Sequence, residues 1–149
     1  MDAVLNDAVP MLHEYRKSSI MPEMVLLAMI NHPNTAAYRM LKMFENTRGV
    51  DLEKLERQIR LAIQSRRDPD GSLDFVAVGN KKVSMSRQSI VLLDDALTIA
   101  NSMNEQKIDT DHALAVLAET SVSTGGILRQ FSITPKAIQD IYSDASAVL

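Results

Sequence analysis

The chain has 149 residues, of which 46% are hydrophobic and 23% charged, a composition that suits one globular domain with a substantial core. Sixteen basic and nineteen acidic residues give a net charge of −3, so the strongly basic surface that nucleic-acid binding requires is excluded. The absence of cysteine excludes disulfides, thiolate metal sites and a cysteine nucleophile.

Targeting and membrane signals are not evident in the chain. The N-terminus begins with an acidic residue, Asp2, and builds no apolar signal region. The longest uninterrupted apolar run, Met24–Ile30, has seven residues, whereas a membrane-spanning helix needs roughly 20. We therefore expect a soluble, cytoplasmic protein with no membrane partner.

Apolar spacing predicts four helices in the first part of the chain. They are a helix near 3–17 with the stripe Leu5, Val9 and Leu12; a helix from Pro22 to about Ile30; a helix capped by Asn34 that carries Met40, Leu41 and Phe44 and ends at Gly49; and a helix capped by Asp51 with Leu52, Leu55, Ile59 and Ile63 on one face.

The segment 66–72 is rich in turn-forming residues and predicts an exposed loop. Two short stretches, Leu73–Val78 and Lys82–Met85, flank the turn-forming pair Gly79-Asn80. A short β-hairpin and a plain linker both fit this pattern.

Four more helices are predicted after the loop. Their signals are a cap at Ser86 with the buried stripe Ile90, Leu93, Leu97 and Ala100; a cap at Thr110 before Leu114 and Leu117; Gly125-Gly126 near a helix that contains Leu128 and Phe131; and Thr134-Pro135 at the start of a last helix with Ile138, Ile141 and Tyr142.

The two halves share one order of caps, breaks and apolar stripes. A shift of 88 residues aligns Ile20 with Ile108 and places Glu23 opposite Asp111, both in the first turn of a second helix. We therefore predict an all-α fold of two tandem four-helix units related by a pseudo-twofold axis. The predicted divisions of this single domain are repeat one at 1–65, a linker at 66–85 and repeat two at 86–149.

The repeat resembles the N-terminal double-repeat domain of the Clp unfoldases, the ClpA, ClpB and ClpC group. The run Ile108-Asp109-Thr110-Asp111-His112-Ala113-Leu114 is similar to the Ile-Gly-Thr-Glu-His-Leu-Leu signature of that family, and Val83-Ser84-Met85-Ser86 is similar to the start of its second repeat. The first repeat departs from the signature, because Met21-Pro22-Glu23-Met24 keeps only the acidic residue. These departures indicate a divergent member.

The resemblance implies a module that docks substrate proteins or an adaptor for an ATP-dependent unfoldase. Capture would use an apolar groove between the repeats, rimmed by charge, and would be helped by many copies on a ring. An alternative is a free-standing accessory subunit that docks on a Clp protease ring and stabilises it. The docking module of an unfoldase would continue after Leu149 into a phosphate-binding loop, whereas the accessory subunit would not.

Catalysis and bound cofactors are not expected. No Walker loop or nucleophile elbow occurs, and the three histidines His13, His32 and His112 are dispersed. Acid pairs such as Asp94-Asp95 are explained more simply as caps and solvated helix faces. We expect neither a metal ion nor enzymatic activity of the chain itself.

Four residues are candidates for substrate or adaptor binding: Glu23, Met24, Asp111 and His112. For Glu23 and Asp111 the resemblance implies sites for phosphorylated arginine, whereas the simpler interpretation is a favourable interaction with the positive end of a helix. Met24 and the other methionines can line an adaptable groove or fill the core, and the core is favoured. His112 is expected to pack near a helix start.

Overall fold

Eight helices and one β-hairpin make up the computed structural model, which describes residues 2–65, 75–78, 81–103, 110–119 and 122–148. The elements in chain order are α1 (Asp2–Glu14), α2 (Pro22–Ile30), α3 (Ala36–Arg48), α4 (Leu52–Ser65), β1 (Phe75–Val78), β2 (Lys81–Ser84), α5 (Arg87–Ser102), α6 (Thr110–Leu117), α7 (Ser123–Gln130) and α8 (Pro135–Val148). The predicted all-α tandem repeat is confirmed. We call α1–α4 the first repeat and α5–α8 the second repeat.

Local capping starts several of these helices where the sequence predicts. The Ser86 hydroxyl accepts a hydrogen bond from the backbone N–H of Ser89. Asp51 accepts from Lys54 at the start of α4, and Thr134 accepts from Ala137 at the start of α8. Each bond supplies an acceptor for one of the N–H groups that a helix start leaves without an internal partner.

Three predicted boundaries are wrong by a small margin. α1 ends at Glu14 rather than 17, because the chain turns at Arg16 with a φ of 55°. The cap of α3 is Thr35, one residue after the predicted Asn34, and its hydroxyl accepts from Tyr38. Phe131 follows the last residue of α7 instead of lying within that helix.

The buried face of α5 also differs from the predicted stripe. Ser89, Leu92, Ala96 and Ala100 are buried, whereas Ile90 and Leu93 are half-buried and Leu97 is 39% exposed. Only Ala100 belongs to both sets. The observed buried face is therefore rotated about the helix axis, by about one residue position, from the predicted buried face.

Between the repeats the chain forms the hairpin rather than a plain linker. β1 pairs antiparallel with β2, with Phe75 opposite Ser84 and Val78 opposite Lys81. The predicted turn at Gly79-Asn80 and the predicted loop at 66–72 lie outside the described residues.

An extended segment joins the first repeat to the second. Ile20 lies parallel to Met85; its N–H donates to Ser84, and its carbonyl accepts from the N–H of Ser86. The hydroxyls of Ser19 and Ser84 are 2.7 Å apart beside this bridge. Because these bonds precede α2 and α5, they set the position of one helix pair relative to the other.

One hydrophobic core spans both repeats and has α2 at its centre. Every residue of α2 is buried, from Pro22 to Ile30, so this helix is apolar around its whole circumference. The core continues into α4 through Leu55 and Ile59 and into α6 through Leu114.

Candidate protein-docking site

The four predicted site residues lie in the first turns of α2 and α6. Met24 and His112 have no exposed surface, and Glu23 is 1% exposed. The Asp111 side chain is 17% exposed, and its Oδ1 lies 3.9 Å from Nδ1 of the neighbouring His112. The burial of Met24 and His112 fits the packing roles that the sequence favours; a role of any of the four in binding stays a prediction.

Glu23 contacts the second repeat at the start of α7. Its Oε1 accepts a 2.7 Å hydrogen bond from the hydroxyl of Ser123, the first residue of α7. Val122, which precedes that helix, provides no side-chain cap. The carboxylate of Glu23 therefore lies where the positive end of a helix favours an anion.

A reciprocal contact runs from the second repeat to the first. The Thr110 hydroxyl at the start of α6 accepts a buried 2.8 Å hydrogen bond from the N–H of Ala37, in the first turn of α3. α2 thus bonds to α7 while α6 bonds to α3. The two candidate helix starts are structural contacts between the repeats, whatever else they do.

Most of the described methionines are core residues. Met21, Met24 and Met29 are buried in or beside α2, and Met40 and Met85 are buried elsewhere. Among the methionines of the described ranges, Met43 is 38% exposed and Met103 is 41% exposed. The structure thus supports core packing over a methionine-lined groove.

An apolar groove lies within the second repeat. It has a volume of about 320 Å³ and is lined by α5, α6 and the residue before α7, through Arg87, Gln88, Val91, Leu92, Asp95, Val116 and Val122. Leu92 and Val116 are fully buried and form the floor, whereas Val91 is 49% exposed and forms a wall. An exposed valine beside a concave apolar floor is a surface that a partner's apolar side chain can cover.

A mainly polar cleft lies between the two repeats. It measures about 380 Å³ and lies between the end of α3, the start of α4 and the end of α7. Its lining includes Arg48, Asp51, Lys54, Gln58 and Gln130. This cleft is mainly polar, whereas the apolar groove described above lies within the second repeat. An apolar groove between the repeats stays a prediction.

A sequence signal for the groove exists in the run Ile90-Val91-Leu92-Leu93 of α5. Four consecutive residues cover all sides of a helix, so they cannot all face one core. The run indicates that some apolar surface of α5 faces outward, but it does not indicate which residue.

Two basic groups have displaced pKa values, and both lie away from the groove. A hydrogen bond to Glu56 raises the pKa of Arg60 on α4, and a hydrogen bond to Glu45 raises the pKa of Lys42 on α3. Arg60 also donates to the hydroxyl of Tyr15 at 2.8 Å. These are surface ion pairs, which contribute little to stability.

Among the described ranges, no helix is both long and apolar enough to cross a membrane. Nor do three or more His, Asp or Glu side chains of that part of the chain group together as they would to hold a metal ion.

Comparison with known proteins identifies the family. The chain matches the Clp repeat (R) N-terminal domain over residues 1–131 and belongs to that family. A comparison with curated proteins gave no match.

Solved structures share the fold at low sequence identity. A structure from preliminary investigations of a malarial protein secretion system is 21% identical, with a TM-score of 0.73, and the alignment covers 95% of this chain and 88% of the other. The Hsp104 N-terminal domain from Candida albicans is 17% identical, with a TM-score of 0.68 and coverages of 93% and 83%. The N-terminal domain of the ClpV1 ATPase of the E. coli EAEC Sci1 type VI secretion system (T6SS) is 16% identical, with a TM-score of 0.67 and coverages of 93% and 78%.

Proposed function

We propose that this chain is a protein-docking module, which binds an apolar segment of a substrate or adaptor protein in the groove of α5, α6 and Val122. It performs no catalysis of its own and serves an ATP-dependent Clp-type unfoldase. The observation that carries the proposal is Val91, a 49% exposed valine above a floor of buried Leu92 and Val116. Family membership and the fold of the Hsp104 and ClpV1 domains support it.

The predicted residue Glu23 fits this proposal as a positioning residue. Its carboxylate holds Ser123, and the preceding residue, Val122, lines the groove. A direct contact between Oε1 of Glu23 and a ligand requires this partly buried bond to open. Within the proposal, Met24 and His112 act through packing, and Asp111 is the most exposed of the four candidates.

The test is a comparison of two α5 variants that differ only in whether the changed residue lines the groove. Val91→Asp places a carboxylate in the groove, whereas Leu97→Asp changes an exposed residue of the same helix outside it. The probe is a fluorescein-labelled peptide with a central run of leucines, and its affinity is measured by fluorescence polarisation.

Val91→Asp should weaken binding about tenfold. Covering half of a valine is worth roughly 1 kcal/mol, and a buried, unpaired carboxylate adds to the loss. Leu97→Asp should bind within about twofold of the parent chain. Equal affinities of the two variants, with both folded by circular dichroism, would refute the groove as the docking site.

A further inference from the structure

Two opposite charges stand at the two ends of the apolar groove. Arg87 and Asp95 both line it, both are exposed, and each is four residues from Val91 along α5. Residues four apart lie on one helix face, and a rise of 1.5 Å per residue places the two charged residues about 12 Å apart. The groove therefore has a basic end, an apolar centre and an acidic end.

Neither Arg87 nor Asp95 forms an ion pair with another of the described residues. The described ion pairs include Lys42 with Glu45 and Arg60 with Glu56, but none involves Arg87 or Asp95. A separation of about 12 Å is also too long for them to pair with each other. Arg87 is the first residue of α5, where a cation interacts unfavourably with the positive end of the helix.

The distance between the two charged residues sets the length of an extended occupant. An extended chain advances about 3.3 Å per residue, so roughly three residues separate two side chains 12 Å apart. An extended segment of about five residues therefore spans the groove from one charge to the other.

We propose that the groove selects extended protein segments in which about three apolar residues separate an acidic from a basic residue. The acidic residue lies beside Arg87, the apolar residues cover Val91 and Leu92, and the basic residue lies beside Asp95. This inference rests on the proposed function and adds the charge order of the segment that is bound.

The experiment uses three labelled peptides that share one apolar centre. The first has an acid before the centre and a base after it, the second has the reverse order, and the third has glutamine at both ends. Affinities are measured by polarisation on the parent chain, on the double variant Arg87→Asp with Asp95→Arg, and on a matched exchange outside the groove. The matched exchange is Glu53→Arg with Arg57→Glu, two exposed residues of α4.

One charge order should bind the parent chain about fivefold more tightly than the glutamine peptide, as expected for two exposed ion pairs. The groove exchange should reverse the preferred order, and the α4 exchange should leave it unchanged. The difference should shrink as salt is added, because exposed charges are screened.

Three outcomes overturn the charge selection. If the glutamine peptide binds as tightly as both charged peptides, the selection is refuted while the docking function stands. If the parent chain sediments as a dimer that Val91→Asp dissociates, a second copy of the chain fills the groove instead. If none of the peptides binds the parent chain, the proposed docking function itself fails.

Discussion

Replacing Thr110 by valine tests whether the repeats stabilise each other through bonds across their interface. The change keeps the volume of the side chain and removes the hydroxyl that accepts a 2.8 Å hydrogen bond from the N–H of Ala37. Ala37 is fully buried, so its N–H cannot donate a hydrogen bond to water instead. The Thr35 hydroxyl already accepts from Tyr38 and cannot readily serve Ala37 as well.

The expected loss is about 2 kcal/mol in the free energy of unfolding. Leaving a buried donor without an acceptor costs roughly 1–3 kcal/mol, and apolar packing is kept because valine and threonine have nearly the same shape. For a chain of this length, a loss of that size lowers Tm by roughly 4–8 °C. Urea unfolding followed by circular dichroism measures the free energy.

Two further variants separate the buried bond from other effects. Thr110→Ser keeps the hydroxyl and removes one methyl group, so it should cost about 0.8 kcal/mol. Thr98→Val removes an exposed hydroxyl of α5 that bonds only to the carbonyl of Asp94, so it should change stability by less than about 0.5 kcal/mol. A Thr110→Val loss no larger than that of Thr110→Ser would refute the reasoning, as would an unchanged hydrogen-exchange rate at the Ala37 amide.

Two adjacent glycines of α7 should respond in opposite directions to alanine. A Cβ at Gly125 would overlap the backbone carbonyl of Glu119, so Gly125→Ala should lower the free energy of unfolding in urea by about 1–3 kcal/mol. A Cβ at Gly126 would meet open space, so Gly126→Ala should raise the free energy of unfolding by about 0.5–1 kcal/mol. Similar Tm values for the two variants would contradict the close approach at Gly125. A second pair tests the left-handed residues after α3 and α7, Gly49 (φ 69°) and Ser132 (φ 62°). In thermal melts, Ser132→Gly should raise Tm by roughly 2–4 °C and Gly49→Ala should lower Tm by a similar amount. A lowered Tm for Ser132→Gly would contradict strain at that position.

Helix starts were predictable because their bonds are local. The caps at Asp51, Ser86 and Thr134 each bond to an N–H three residues ahead, so the residue type and its place before an apolar stripe are sufficient evidence. The same reasoning gave Thr110 a cap role, but its described bond goes to Ala37, 73 residues away. A sequence cannot show a partner that only the packing of the two repeats brings near.

The contacts of the candidate site residues were not predictable from the sequence. Glu23 stood out as an acid in a first turn, and the structure gives it a partner 100 residues away, Ser123. The apolar groove around Val91 lies within the second repeat, and the apolar groove expected between the repeats stays a prediction. Burial of the predicted residues and exposure of Val91 both depend on how the helices are rotated, and a helical periodicity leaves that rotation open when apolar residues are consecutive.

The rotation of α5 is set by a polar residue. Ser89 is fully buried, and its hydroxyl donates a 2.8 Å hydrogen bond to the carbonyl of Ile20 in the first repeat. The same hydroxyl contacts the hydroxyl of Ser86. Turning α5 by one residue, to bury Ile90 in its place, would break this bond and leave the carbonyl without that donor. Ser89 at the core requires Leu92 to face inward and Val91 to face outward, since they lie three and two residues further along the helix. The bond between the repeats at Ser89 therefore places the exposed valine that the proposed docking site needs.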